Sequence, residues 1–323
     1  MKQLPFEEHL LELERKIEEL KALSAAHYLD LSQEIETLTQ KLERSRAETY
    51  SKLTPWQTTQ LARHPRRPLT LDYIQMCFED FVELHGGRQW PDDNSIVSGL
   101  AMFRGQPVVI LGHQKGKDTK DNLFRNFGMP HPEGYRKALR MMKLAERFGR
   151  PVITFIDTPG AYPGMDAEER GQAEAIARNL FEMTYLGVPM ICVVIGEGGS
   201  GGAIAIGAGD AVLMLEHSIY SVISPEGCAS ILWKDASKAE EAACALKVTA
   251  RSLLELGVID EMIPEPLGGA HRDPSVVGAA VGDALARHLQ LLKHIPQEEL
   301  FQRRQEKYRR LGVFEEDART HRD

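Results

Sequence analysis

Four cysteines serve 323 residues, and none of them stands in a C-x-x-C pair. That spacing offers no structural zinc site. Cys192 sits in an apolar run and reads as a small core hydrophobe. Scattered thiols and the lack of a signal-peptide pattern point to a reducing cytoplasm. No apolar run approaches the ~20 residues needed to cross a bilayer, and the acidic, helical first residues are unlike a transit peptide. The P-loop signature G-K-[ST] is missing, as are low-complexity tracts and short-period repeats. Excess positive charge is missing too. The net charge is −8, which argues against nucleic acid or acidic membranes as partners of the whole chain.

What is present is ordinary in amount and uneven in placement. The chain is 42% hydrophobic and 27% charged, and is long enough for one large α/β domain or two smaller ones. Residues 113–150 hold ten Lys/Arg against four acids, a net +6 island in an acidic protein. It is either a set of solvated helix faces or a surface for a polyanion, such as a nucleotide-like cofactor, or an acidic partner. Apolar residues at three- and four-residue steps over 5–23 and 31–42 predict a helical hairpin or a short coiled-coil arm. It either caps its own domain or makes a subunit contact. Helices are expected at 70–84, 134–148, 168–186, 200–209, 225–232, 238–256 and 274–294. Strands are expected at 95–103, 106–112, 151–156, 188–195, 211–215, 219–223 and 258–263. Alternating strands and helices from 151 onward imply crossovers and a largely parallel sheet. The tail from residue 297 is charged, with helical character.

One stretch organises the rest. An apolar strand runs into residues 196–202, which contain five glycines in seven positions. Glycine destabilises unless its missing Cβ is used. So many at a strand-to-helix junction predict bare backbone N–H groups aimed at an anion or at developing negative charge. Gly196-x-Gly198-x-x-Gly201 satisfies the dinucleotide fingerprint, with Glu216 about 20 residues on. A strand and a second special loop come earlier, however, and Gly199 and Gly202 are left unexplained. Gly198-x-Ser200-x-Gly202 satisfies the nucleophile elbow. His217 and His271 are the downstream histidines for it, and neither lies in an active-site loop signature. A third reading uses both loops. Residues 157–164, Asp-Thr-Pro-Gly-Ala-Tyr-Pro-Gly, end one parallel strand and the glycine turn ends the next, so amides from both can cradle one oxyanion. That is the layout of a crotonase-like α/β fold.

Several runs occur in one order: Arg63-His64-Pro65, Gly112-His113-Gln114-Lys115-Gly116, Asn126-Phe127-Gly128-Met129-Pro130, residues 132–138, 155–164, 196–202 and 220–234, and Pro264-Glu265-Pro266. Together they resemble the carboxyltransferase alpha subunits of bacterial acetyl-CoA carboxylases, over roughly residues 56–292. The resemblance implies a crotonase-like fold of ββα units. It divides the chain into a helical hairpin arm (1–53), a carboxyltransferase domain (54–295) and a charged tail (296–323). It implies an alpha2-beta2 heterotetramer whose beta subunit carries a zinc ribbon and most acetyl-CoA contacts, with no metal on this chain. Further implied partners are a biotin carboxyl carrier protein and, in the whole ATP-dependent complex, biotin carboxylase.

The implied reaction moves the carboxyl group of carboxybiotin to acetyl-CoA. It gives malonyl-CoA, in the first committed step of fatty acid synthesis. Both partners pass through oxyanions, so two oxyanion holes suffice and no protein base is obligatory. By resemblance the amides of Gly201 and Gly202 hold the biotin oxygen. Gly160 and Ala161 are the expected complementary donors, and Gly198 and Gly199 complete the substrate-binding backbone. Close helix–strand packing is the alternative role for these glycines, and the two roles are compatible. Tyr162 walls the biotin pocket or fills the core. His113, Lys115 and Lys117 touch phosphates or the partner, or stand in a solvated loop. Glu226 and Cys228 read as helix-start residues. Gly202→Val is expected to abolish transfer while leaving fold and assembly intact. Two other classes stay open: a serine hydrolase using Ser200, and a non-catalytic scaffold. The island leaves coenzyme A, the carrier protein and nucleic acid open as its customers.

Overall fold

Helices α1 (Glu8–His27) and α2 (Ser32–Ser51) form the predicted hairpin. The structure, a computed structural model, describes residues 4–27, 29–88 and 90–312. Leu10, Ile17, Leu42 and Tyr50 bury one stripe of the hairpin against Leu61 of α3 (Pro55–Ala62). Glu14 accepts from Arg46 of α2 at 2.6 Å and from Arg272 of the main body at 3.0 Å. The base of the hairpin is therefore a cap on its own chain, while Leu23 and Leu29 near its tip stay about half exposed.

Helix α4 (Thr70–Cys77) ends earlier than the expected 84, and strand β1 (Glu79–Glu83) follows. The alternation of Phe81 and Val82 suits a strand, and the open edge of β2 (Ile96–Phe103) supplies the ladder, so tertiary pairing overrides helical spacing. β2 turns at Arg104-Gly105 into the antiparallel β3 (Gln106–His113). Short α5 (Thr119–Phe124) and the long α6 (Pro132–Arg147) come next. Tyr135, Ala138, Met141, Met142 and Ala145 bury one face of α6 under the sheet. The hairpin β2–β3 with α6 is a ββα unit.

The parallel region begins with β4 (Val152–Thr158), α7 (Met165–Glu169), α8 (Gln172–Thr184) and β5 (Met190–Gly199). It continues through α9 (Ser200–Ile204), β6 (Ala211–Leu215), β7 (Ile219–Ser221) and α10 (Pro225–Trp233). Helices α11 (Ala239–Leu246) and α12 (Ala250–Glu255), strand β8 (Glu261–Ile263), and helices α13 (Pro274–Leu292) and α14 (Gln297–Arg309) complete the chain. The strand order is β1-β2-β3-β4-β5-β6-β8, with β7 pairing the far end of β5. From β3 to β8 every pairing is parallel. This mixed α/β sheet is the crotonase-like architecture expected.

Both faces of the central strands are covered, as a parallel sheet requires. Ile153 and Phe155 of β4 with Ile191, Val193 and Ile195 of β5 pack on one side, against α4 and α13. Val152, Ile156, Met190, Cys192 and Val194 pack on the other, against α6 and α8. The period of two along each strand thus assigns every residue a layer.

Two further expected helices are corrected. The one over 238–256 is broken, because Lys247 adopts φ +51° and the Thr249 hydroxyl caps a new helix by accepting from Ser252 N–H. The one over 200–209 lasts five residues, since β5 runs straight through Gly199 and α9 starts abruptly. α14 is the helical part of the expected tail, and it is docked. Arg304 is buried and donates to both Asp210 carboxylate oxygens and to the carbonyls of Met183, Leu186 and Val188.

Candidate functional site

β4 and β5 are neighbours in the sheet, and their C-terminal ends bring the two special loops together. An ideal Cβ placed on Gly202 would lie 2.6 Å from the carbonyl carbon of Gly160 and 2.7 Å from the nitrogen of Ala161. A Cβ on Gly199 would lie 2.2 Å from the carbonyl oxygen of Pro159. Only glycine allows this approach. Ser200 sits at the corner with φ +53°, a left-handed conformation that costs a non-glycine residue about 1–3 kcal/mol. Such strain persists only where the surroundings over-determine it. Immediately after that corner come Gly201 and Gly202, in the first turn of α9, where amides have no intrahelical acceptor, and no side chain caps that end.

Gly198 has a different task. It lies inside β5, pairs with Tyr220 of β7, and a Cβ there would lie 2.7 Å from the Tyr220 ring. Gly198 and Gly199 are sheet residues held to close packing, so half of the glycine turn is strand. Packing also bears on Gly202. The neighbours that a side chain would meet there are backbone atoms, so Gly202→Val must displace the 160–161 loop locally. Of the other loop's pair, Gly160 N–H already donates to Thr158 Oγ1 at 3.1 Å. Ala161 packs beside Tyr135 and Ala205.

A buried ionic network ties the two loops from behind. Asp157, at the end of β4, accepts from the Glu197 N–H of β5 at 2.9 Å and from Lys115 Nζ at 2.7 Å. Lys115 also lies 3.6 Å from Glu197, which pairs with Arg63 at 2.6 Å. Arg63 reaches on to Glu226 at 2.6 Å. Burial alone would lower Lys115, but the carboxylates of Asp157 and Glu197 overcome it and hold its ammonium above the usual lysine range. Burial likewise works to raise Glu226, and Arg63 overrides it, keeping that carboxyl below its ordinary value. On the other side Arg67 is buried, bonds Glu265 at 2.7 and 2.9 Å, and donates to the Ile195 carbonyl at 3.0 Å. Sequence reasoning gave none of Arg63, Arg67, Asp157, Glu197 or Glu265 a role. The available signal was a charge at the end of a wholly apolar strand, which burial obliges to find a partner.

The three basic candidates separate. His113 is fully buried at the end of β3, and neither ring nitrogen has a hydrogen-bond partner. Burial pushes it down to about 3 against a smaller upward pull from the Gly202 carbonyl, so it is neutral beneath the turn rather than in a solvated loop. Lys115 is consumed by the network above. Lys117 is exposed and pairs with Asp72 at 2.6 Å. Tyr162 is half-buried, with its ring stacked on His131 at 4.1 Å. Four more cations of the island engage partners within the chain, while Lys120, Arg147 and Arg150 are exposed. Lys137 is buried on Asp92 and the Asp93 carbonyl, Arg140 bonds the Gly86 carbonyl, Lys143 pairs with Glu182, and Arg136 donates to the Arg170 carbonyl.

Beside the turn lies a cavity of about 580 Å³ that touches Ser200 and Gly201 and is walled mainly by apolar groups, among them Ile204, Val222, Leu246 and Leu253. The histidines required by a serine nucleophile are elsewhere: His217 packs by Tyr50, and His271 stacks on His64 at 3.9 Å. Among the described residues no group of three or more His, Cys, Asp or Glu could hold a metal ion. Among them, too, no helix is long and apolar enough to cross a membrane.

Comparison with known proteins agrees with this geometry. A family model described as acetyl co-enzyme A carboxylase carboxyltransferase-like matches residues 3–312. A relative from Anoxybacillus flavithermus, named acetyl-coenzyme A carboxylase carboxyl transferase subunit alpha, is 58% identical over 97% of this chain and 97% of its own. Among solved structures, the transcarboxylase 12S core superposes with a TM-score of 0.59 at 21% identity, over 72% of this chain and 42% of that one. A Pseudomonas malonate decarboxylase hetero-tetramer with coenzyme A bound superposes at 0.54 and 19% identity, over 65% of this chain and 84% of that one. At these identities the two structures speak for the fold.

Proposed function

The chain belongs to the acetyl co-enzyme A carboxylase carboxyltransferase-like family, and from that premise we propose that it is the half of a carboxyltransferase that receives carboxybiotin. The family's reaction is transfer of a carboxyl group to acetyl-CoA, giving malonyl-CoA. The observation that carries the finer reading is the contact of Gly202 with the Gly160–Ala161 peptide, which brings amides from two adjacent strand ends to one place.

The residues fit a group with an apolar body and one polar oxygen. The amides of Gly201 and Gly202 have no side-chain cap, Gly201 lines the apolar cavity, and the cradle admits no Cβ at Gly202. Carboxybiotin, presented by a separate carrier protein, supplies the activated carboxyl group and a ureido oxygen on which negative charge develops. The amides of Gly201 and Gly202 donate to that oxygen, and losing one such donor costs about 3 kcal/mol of barrier. Ala161 is the complementary donor in preference to Gly160, whose N–H is engaged by Thr158. Asp157, bonded to both Lys115 and the Glu197 amide, fixes the distance between the two loops, so the donors need no reorganisation as charge develops. The remaining acetyl-CoA contacts and the zinc ribbon belong to a beta subunit in an alpha2-beta2 assembly. Residues 54–295 act as the transferase domain, flanked by the arm (1–53) and the tail (296–323).

Co-expression with a zinc-ribbon beta subunit tests this. The purified pair forms malonyl-CoA from acetyl-CoA in a biotin-dependent assay, and neither chain does so alone. Full activity from this chain by itself, or an inactive but correctly assembled pair, overturns the reading.

A further inference from the structure

The helix that carries the proposed donors is too short to hold itself. α9 has five residues, and its last i→i+4 bond runs from Ala205 N–H to the Gly201 carbonyl at 3.1 Å. Its end tightens into i→i+3 turns, Ile206 to Ala203 at 3.4 Å and Gly207 to Ile204 at 3.0 Å. An isolated turn of this length is unstable in water, because nucleation fixes several residues for one bond. The carbonyls beyond it lack helical partners. Three of them take a side-chain donor, each from a different element. Asn179 Nδ2 of α8 donates to the Ala205 carbonyl at 3.1 Å and to the Tyr135 carbonyl of α6 at 3.1 Å. Thr154 Oγ1 of β4 donates to the Ile206 carbonyl at 2.9 Å. Tyr308 OH of α14 donates to the Gly209 carbonyl at 3.0 Å. Asn179 and Thr154 are both wholly buried.

We propose that Thr154 and Asn179 are positioning residues for carboxyl transfer: by gripping the carbonyls at the far end of α9 they set where the Gly201 and Gly202 amides point. This rests on the assignment of those amides as donors. Thr154 and Asn179 touch no reacting atom. They act through a rigid lever of one helical turn, and a donor displaced by about 1 Å forfeits on the order of a hundredfold in rate. Their own placement is over-determined. Thr154 is a β-branched residue inside the central strand, and Asn179 spans α6 and α9 with both amide hydrogens used. Asn179 Oδ1 is buried without a partner. A carboxamide here is therefore retained for what its nitrogen holds, since an apolar side chain would avoid that unsatisfied acceptor.

Thr154→Val keeps shape and strand propensity and puts a methyl group in place of the hydroxyl that holds the Ile206 carbonyl. In the purified complex with the beta subunit, kcat falls about tenfold, the KM for acetyl-CoA changes by less than about twofold, and Thr154→Ser restores kcat. Hydrogen exchange speeds up in the peptide spanning 200–209 and stays unchanged in the β4 and β6 strands. Asn179→Leu behaves in the same way. Should Asn179→Leu fail to assemble, Thr154→Val decides alone. A Thr154→Val complex with wild-type kcat and wild-type exchange at 200–209 overturns the inference. So does a loss of kcat that Thr154→Ser does not restore. An inactive wild-type complex overturns the donor assignment instead, so the two failures are distinguishable.

Discussion

Two neighbouring glycines make opposite predictions for the same substitution. At Gly202 a Cβ would stand 2.6 Å from the Gly160 carbonyl carbon, 2.7 Å from Ala161 N and 2.9 Å from Gly160 O. All three are backbone atoms that no rotamer change can move. Reaching an ordinary contact of 3.4 Å requires the 160–161 loop and α9 to separate by about 0.8 Å. Overpacking of this kind costs about 1–3 kcal/mol, which a protein with 5–15 kcal/mol of stability survives. Rate is more sensitive: a misplacement near 1 Å costs on the order of a hundredfold. At Gly201 the added Cβ meets only the flexible side chain of Ile176, no closer than 3.4 Å, and the φ there needs no glycine. Gly202→Ala in the reconstituted complex should therefore lower kcat about a hundredfold while the melting temperature drops by only a few degrees. Gly201→Ala should stay within about threefold of wild type, because its amide is kept and its side chain has room. Malonyl-CoA formation, with subunit association checked by gel filtration, measures both. Equal kcat for Gly202→Ala and wild type would refute the reasoning, and so would a Gly201→Ala variant as impaired as Gly202→Ala.

The remaining predictions concern what lies behind the turn. Lys115→Ala leaves Asp157 buried without its ammonium and should cost about 3–5 kcal/mol, whereas Lys117→Ala, on an exposed pair, should cost less than about 1 kcal/mol. Urea unfolding of each variant checks the contrast. His113 is held near 3 by burial, and unfolding returns it to about 6.5. Its contribution is therefore complete above pH 6.5 and is lost as the pH falls from there toward 3. Stability should decline by up to about 1.4 kcal/mol per pH unit from this group, and His113→Leu should flatten the slope between pH 6 and 4.5 by that amount. An unchanged slope would place the ring in solvent. Arg304→Met strands the buried Asp210 carboxylate and three carbonyls, and should destabilise by about 3–5 kcal/mol. Arg303→Ala, on an exposed pair of the same helix, should be near neutral by thermal melting.

The sequence carried the layers of this fold well, for a definite reason. β4 and β5 are buried on both faces, so their apolar runs had to be central strands, and the loops ending them had to meet wherever the strands became neighbours. The glycine count announced close approach at that point, and the close approach exists. Local spacing failed where a partner distant in the chain decides. The run 79–83 became a strand because β2 offered an edge, and 238–256 broke where Lys247 turned left-handed. The basic island shows how little spacing says about where a charge ends up. Ten cations within 38 residues read as solvated helix faces or as a surface for a polyanion, yet Lys115, Lys137 and Arg140 each bond an acceptor elsewhere in the fold, 42 to 54 positions away. Charge density along a chain does not say whether a side chain faces water, and only the fold does.

The proposed donors are backbone amides, and the residues that hold them were not legible in the sequence. The run of glycines was visible as a mark of close approach, and the family resemblance singled out Gly201 and Gly202 within it. Thr154, Asn179 and Asp157 hold the two loops in register, and they look like any threonine in a strand, any polar residue on a helix, any acid before a turn. What distinguishes them is that each is buried with its polar atoms aimed at main-chain groups of another element. An oxyanion hole built from main-chain amides has no side chain to tune, so its precision must come from such residues. Substitutions that spare every glycine and still lower kcat should therefore concentrate at Thr154, Asn179 and Asp157 rather than on the exposed cations of residues 113–150. A scan in which Lys120, Arg147 and Arg150 matter more than those three would reverse that order.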